Sequence, residues 1–139
     1  MSVDRLNVVV RPIEQRDLVA TAQLAGKLVR LHHEWDPARF FLVRGVEAGY
    51  ERFLAAEMGN PDAVVLVAVR GEGAGAGSVV GYAYSSLEER NWSDLRHACG
   101  KLHDVYVDDS ARGAGVAAML VEASVERLRA MGAPRVVLM

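Results

Sequence analysis

The sequence predicts an α/β (α+β) fold, a mixed and mostly antiparallel sheet flanked by helices. Three observations carry this reading. Short Val-rich apolar runs alternate with longer segments whose apolar residues recur at helical spacing. Two of the runs, Ala63 to Arg70 and Val79 to Ser86, follow one another across a Gly-rich connection, as the strands of a hairpin do. A strand, a glycine turn, a helix and another strand then succeed one another from Leu102 to Met139.

Composition narrows the class. One domain is expected over residues 1–139, because 51% hydrophobic and 24% charged residues suffice to build one core. A net charge of -2 with 16 scattered basic residues leaves no electrostatic footprint for a nucleic-acid backbone. Cys99 is the only cysteine, which excludes an internal disulfide and a Cys-rich metal site and makes the cytoplasm the default compartment. No apolar run approaches a membrane span, and Met1 to Leu6 lacks the apolar core of a signal peptide, so a soluble protein without a membrane partner is expected.

In chain order, Val8-Val9-Val10 reads as a β-branched strand that Arg11-Pro12 stops. Asp17 is the expected N-cap of a helix from about Leu18 to His33, with Leu18, Ala22, Ala25, Leu28 or Val29, and His32 facing inward. Asp36-Pro37 is read as a second helix start, followed by a short turn through Phe40. Val46, Tyr50, Phe53 or Leu54, and Met58 form a further helical stripe ended by Gly59-Asn60-Pro61. The hairpin strands follow. Their Gly71 to Gly77 connection leads into a strand, so it offers no helix N-terminus to a phosphate and is read as a loop. Glu88 to Gly100 is polar and irregular; it either lines an acceptor pocket or is a solvated connection pinned by Trp92. Beyond the central strand, Ala117, Val121, Ser124 or Val125, Leu128 and Met131 continue a third helix, which Gly132 stops. Arg135 to Met139 is a strand in which the chain ends.

The chemistry concentrates where Leu102-His103-Asp104-Val105-Tyr106-Val107 runs through a polar turn into Arg112-Gly113-Ala114-Gly115-Val116-Ala117. Glycines before a helix leave its unpartnered N–H groups open to an anion, and such a turn suits a pyrophosphate. A P-loop would need a Gly-Lys-Ser/Thr ending, which is missing. The dinucleotide fingerprint is matched by Gly113-x-Gly115-x-x-Ala118, but Asp108 to Arg112 separates it from the strand and the next strand has no terminal acidic residue for a ribose. A purely structural turn, with glycine there for close packing, is the remaining alternative.

Val107 followed by Arg112-Gly113-x-Gly115-x-Ala117 resembles the acetyl-CoA motif of the GCN5-related N-acetyltransferases, and the likeness extends over nearly the whole chain. The resemblance implies that backbone N–H groups of Arg112, Gly113, Ala114, Gly115, Val116 and Ala117 hold the pyrophosphate of acetyl-CoA as cosubstrate. It also implies that the strand ends splay and expose the backbone of Val105 and Val107 to the pantetheine arm and thioester. In similar enzymes a His or Glu base stands where His103 is; a histidine satisfied within its strand is the competing reading. Strand alternation puts His103 and Asp104 on opposite faces, one toward the substrate cleft and one toward the motif helix, with Asp104 the second choice as base.

The family's usual general acid is a tyrosine on a helix after the last strand. Tyr106 and Tyr84 are the stand-ins, each with a packing role as the alternative. His32-His33-Glu34-x-Asp36 has metal-ligand types, but consecutive histidines point to different helix faces and no metal is expected. Cys99 with His97 nearby is the weakest nucleophile. The expected activity is transfer of an acetyl group to a primary amine of a small molecule or peptide by direct attack in a ternary complex; the competing class is a non-catalytic acyl-CoA-binding module. The resemblance further leads one to expect elements beyond Met139, and a homodimer that covers the edge left by Val136, Val137 and Leu138.

Overall fold

The computed structural model describes residues 7–71 and 77–138. Met1 to Leu6, most of the Gly-rich connection (72–76) and Met139 lie outside the described residues. The element order is β1 (Val8–Pro12), α1 (Leu18–Trp35), α2 (Val46–Met58), β2 (Ala63–Arg70), β3 (Val79–Glu88), β4 (Cys99–Val107), α3 (Val116–Ala130) and β5 (Val136–Leu138). The five strands lie in sequence order in one sheet. Neighbours pair antiparallel except β4 and β5, which are parallel and joined by the α3 crossover. This is the mixed, mostly antiparallel sheet that the sequence predicts.

Both faces of the sheet are covered, and β2 shows how. Its nearly unbroken apolar run sends Val64, Leu66 and Ala68 to the α3 side and Val65, Val67 and Val69 to the side of α1 and α2. Leu54, Leu120 and Leu128 seal the two layers and are fully buried. Parallel pairing of β4 with β5 requires a crossover, and α3 supplies it on the face that holds Leu102 and Val107.

Several sequence expectations are corrected locally. Asp17 precedes α1, but its carboxylate turns back to Arg11 and to the Glu14 N–H (2.8 Å), so it closes a 3-10 turn over residues 15–17 instead of capping the helix. Asp36-Pro37 starts no helix: Phe40 N–H bonds the Asp36 carbonyl at 3.0 Å in a single turn. On α2, Leu54 faces the core while Phe53 and Met58 are exposed.

The inward stripe of α3 is Val116, Leu120, Ser124 and Leu128, one residue out of phase with the expected start at Ala117, which is exposed. At its far end Gly132 takes a left-handed φ of 103°, and the Ala133 N–H reaches the Leu128 carbonyl at 2.9 Å, a Schellman closure. Trp92 pins nothing; it is 76% exposed beneath the Arg90 guanidinium. Cys99 sits not in a loop but at the buried start of β4, with its Sγ 2.9 Å from Arg96 Nη1.

Candidate active site

The site begins with a slip in strand register. Along β3 and β4, Tyr84 faces Asp104 but Ser85 faces Leu102, so His103 is an extra residue, a β-bulge. The bulge cancels one step of side-chain alternation. His103 and Asp104 therefore share a face, that of α1 and α2, whereas Leu102, Val105 and Val107 pack on the α3 side. The expected division of His103 and Asp104 between opposite faces is corrected by this geometry.

His103 is held from three sides. Its ring stacks on Tyr84 at 4.9 Å, and Tyr84 meets the edge of Phe53 from α2 at 5.3 Å. Its Nε2 lies 2.8 Å from Ser86 Oγ and 3.9 Å from Glu88 Oε2. Burial pushes the imidazole below its ordinary pKa, against the opposing pull of Glu88, Asp104 and Glu57, so it is neutral at physiological pH. Burial moves Asp104 the other way, upward, although His103 and a long 3.4 Å contact from the Tyr82 hydroxyl favour its charged form. The hydroxyl of Tyr84 is pushed up to about 12, chiefly by burial, so it keeps its proton.

A cleft of about 310 Å³ opens beside these groups. Leu28, His32, His103 and Asp104 line it from the α1 side of the sheet, and Leu102, Val105, Val121 and Leu138 from the α3 side or the β5 edge. It crosses the plane of the sheet because β5 pairs with β4 only over Gly100, Lys101 and Leu102 among the described residues. Asp108 N–H bonds the Val80 carbonyl at 2.8 Å, so alternate residues Tyr106 and Asp104 turn their backbone groups to β3. Val105 and Val107 therefore turn theirs away from β3, Val105 at the cleft and Val107 with its carbonyl toward Arg112.

The glycine turn follows directly. Gly113 and Gly115 have φ of 84° and 79°, a backbone that side-chain-bearing residues rarely adopt. A Cβ at either would meet nothing within 4 Å, so close packing is not what requires glycine there. The helix begins at Val116, later than the sequence suggests, and its first internal bond joins Met119 N–H to Gly115 O. The N–H groups of Gly113, Ala114, Gly115, Val116, Ala117 and Ala118 have no backbone partner among the described residues. That of Arg112 is engaged by the Asp109 carbonyl at 3.3 Å.

The Arg112 side chain is engaged too. Its Nε donates to the Val107 carbonyl at 2.9 Å, Nη1 pairs with Asp109, and the guanidinium covers the Tyr106 ring at 5.3 Å. Tyr106 itself is a buried ring on the α1 side. Lys27 of α1 anchors the turn by a 2.8 Å bond to Asp108, which also accepts from Ser110 and is held at about 2 by these hydrogen bonds.

Among the residues that the sequence brought forward, His33 Nδ1 lies 2.9 Å from the Phe40 carbonyl and His32 packs on Phe40 and Trp35. Among the described residues no group of three or more His, Cys, Asp or Glu side chains is arranged to hold a metal. Sequence reasoning missed Ser86 and Lys27, which become visible only once the strands and α1 are in place; Glu88 it placed only at the start of a segment that lines an acceptor pocket or is a solvated connection.

Comparison with known proteins bears on the fold and the family. A search of curated proteins returns no match. Among solved structures, a tetramutant of the BH1408 protein from Bacillus halodurans superposes with a TM-score of 0.77 at 19% identity, covering 94% of this chain and 81% of that one. Glucosamine-6-phosphate N-acetyltransferase from Arabidopsis thaliana gives 0.68 at 19% identity over 95% and 81%. A predicted acetyltransferase with acetyl-CoA from Clostridium acetobutylicum gives 0.68 at 13% identity over 95% and 80%. At these identities the likeness is one of fold. The model of the acetyltransferase (GNAT) family matches residues 28–139, a span that takes in the C-terminal part of α1, the bulged strand and the glycine turn, and the chain belongs to that family.

Proposed function

We propose that this protein is an acetyl-CoA-dependent N-acetyltransferase that acts on a primary amine of a small molecule or peptide in a ternary complex. The observation that carries the reading is the bulge at His103. It brings a neutral imidazole and the Asp104 carboxylate to the rim of a cleft that the backbone edge of Val105 also lines.

The donor set fits the cosubstrate. Six consecutive N–H groups without backbone partners, from Gly113 to Ala118, suit a pyrophosphate at the start of α3. The pinned side chain of Arg112 rigidifies that turn, and the Val105 edge suits the amides of a pantetheine arm. When bound, acetyl-CoA supplies an acetyl thioester. His103 takes a proton from the incoming ammonium, which frees the amine lone pair for attack on the carbonyl. A backbone N–H near Val107 faces the developing oxyanion. The departing thiolate takes its proton from a tyrosine hydroxyl, with Tyr106 and Tyr84 as the two candidates and the Phe variant of each as the discriminating test.

The acceptor stays at the level of a primary amine, and a lone buried Cys99 supports a reducing compartment such as the cytoplasm. The test combines thermal shift by CoA and by NAD with thiol release from acetyl-CoA across an amine panel. A shift with CoA alone and turnover with at least one amine are expected. Binding without turnover on any amine would favour the non-catalytic acyl-CoA-binding module.

A further inference from the structure

The hydroxyl of Ser86 stands between two groups that the catalytic reading does not connect. It is 2.8 Å from His103 Nε2 and 2.8 Å from Glu88 Oε2, and the residue is only 6% exposed. A hydroxyl has one proton to give. A carboxylate offers only lone pairs, so the contact with Glu88 requires that proton, and Ser86 Oγ is then left with lone pairs toward the imidazole. Nε2 at 2.8 Å must carry the hydrogen. A neutral imidazole with hydrogen on Nε2 has its lone pair on Nδ1. No described residue bonds Nδ1, and it is not among the sealed polar atoms of the interior, consistent with a side chain that is 24% exposed.

Resting on the assignment of His103 as base, we propose that Ser86 and Glu88 are positioning residues that hold His103 as the Nε2–H tautomer and so make Nδ1 the atom that receives the proton of the acceptor ammonium. The proton moves from the substrate nitrogen to Nδ1. The imidazolium that forms donates through Nε2 to Ser86, which passes the polarisation on to Glu88 without giving up its own proton. Stacking on Tyr84 fixes the ring plane, so the hydrogen bond needs to select only the tautomer.

The charged and titratable groups around the ring come from four elements: Glu88 and Tyr84 on β3, Lys101 and Asp104 on β4, Glu57 on α2, and His32 on α1 across the same cleft. Glu88, Asp104 and Glu57 favour the imidazolium, and Lys101 opposes it. Removing the Glu88 charge lowers the titration midpoint of His103 further by its field alone, so the tautomer is the readout that a merely structural pair would leave in place.

The test is 15N NMR of histidine-labelled protein through a pH series, with the His103 signals assigned by their loss in His103→Ala, beside the pH profile of acetyl transfer. Wild-type protein should show Nε2 protonated and Nδ1 bare at neutral pH. Ser86→Ala and Glu88→Gln should give a mixed tautomer and a lower midpoint. They should also lose roughly 10- to 100-fold in kcat at unchanged KM for acetyl-CoA, the range seen for partners that orient a metal-ligating histidine. Ser86→Thr keeps the hydroxyl and should restore both signals. A His103 tautomer that stays as in the wild type in both Ser86→Ala and Glu88→Gln overturns the inference, whatever their midpoints and rates. A His103→Ala enzyme working at the wild-type rate removes the base itself, a separate failure that NMR of the wild type does not report.

Discussion

At the scale of single residues, the direction in which burial moves each titratable group decides what it can do. His103 is pushed below 6.5 mainly by desolvation, so the base form is populated through neutrality. Acetyl transfer should therefore rise with pH below the ordinary histidine value and be flat above it, and His103→Ala should abolish that limb while leaving CoA binding intact. A rate profile that His103→Ala does not change would pass the role to Asp104 or to water. For stability the sign runs the same way: a histidine with a depressed folded pKa favours the native state above its unfolded value and loses that contribution as pH falls through the folded one. A different residue, Ser124, carries a cost. Its hydroxyl is buried against the sheet without a hydrogen-bond partner among the described residues. Removing an unsatisfied buried hydroxyl recovers its desolvation penalty, so Ser124→Ala should stabilise the protein by about 1 kcal/mol in chemical denaturation; a loss of stability would mean that the hydroxyl has a partner.

At the scale of elements, the turn between β4 and α3 is where local conformation and proposed ligand chemistry meet. Gly115 stands at the helix N-terminus with a left-handed φ and open space beyond its Cα. Gly115→Ala and Gly115→Glu share the backbone strain of an L residue at such an angle, about 1–2 kcal/mol, but only the second adds a negative charge to the anion site. Both should lower the melting temperature to a similar extent, and only Gly115→Glu should abolish the shift produced by CoA. An intact CoA shift in folded Gly115→Glu would remove the phosphate-cradle reading. The anchoring pair Lys27 and Asp108 matters at the same scale, because it ties α1, which lines the cleft, to the turn that would hold the cosubstrate.

At the scale of the whole molecule, β5 borders the sheet with β4 on one side and no described strand on the other, and Leu138 is 70% exposed. Such an edge favours pairing with a second copy. Light scattering should report a homodimer at micromolar concentration, and Val137→Lys should dissociate or unfold it; an active wild-type monomer would count against this assembly. The sequence by itself determined the strands, two of the three helix starts, the hairpin and the glycine turn. Each is written in the local spacing of apolar residues and in Gly, Pro and Val placements, which act over a few neighbours. His103 and Arg112 to Ala117 were brought forward as candidates by a family resemblance that a motif contiguous in the chain carries. What only the tertiary structure decided depends on contacts between distant segments. The phase of α3 follows from how Leu120 and Leu128 meet the sheet and not from propensity. The bulge that turns His103 and Asp104 to one face is a property of the register between β3 and β4, invisible to the alternation of β4 alone. The Ser86–Glu88 contact with His103 exists because that register sets the end of one strand against the middle of the next.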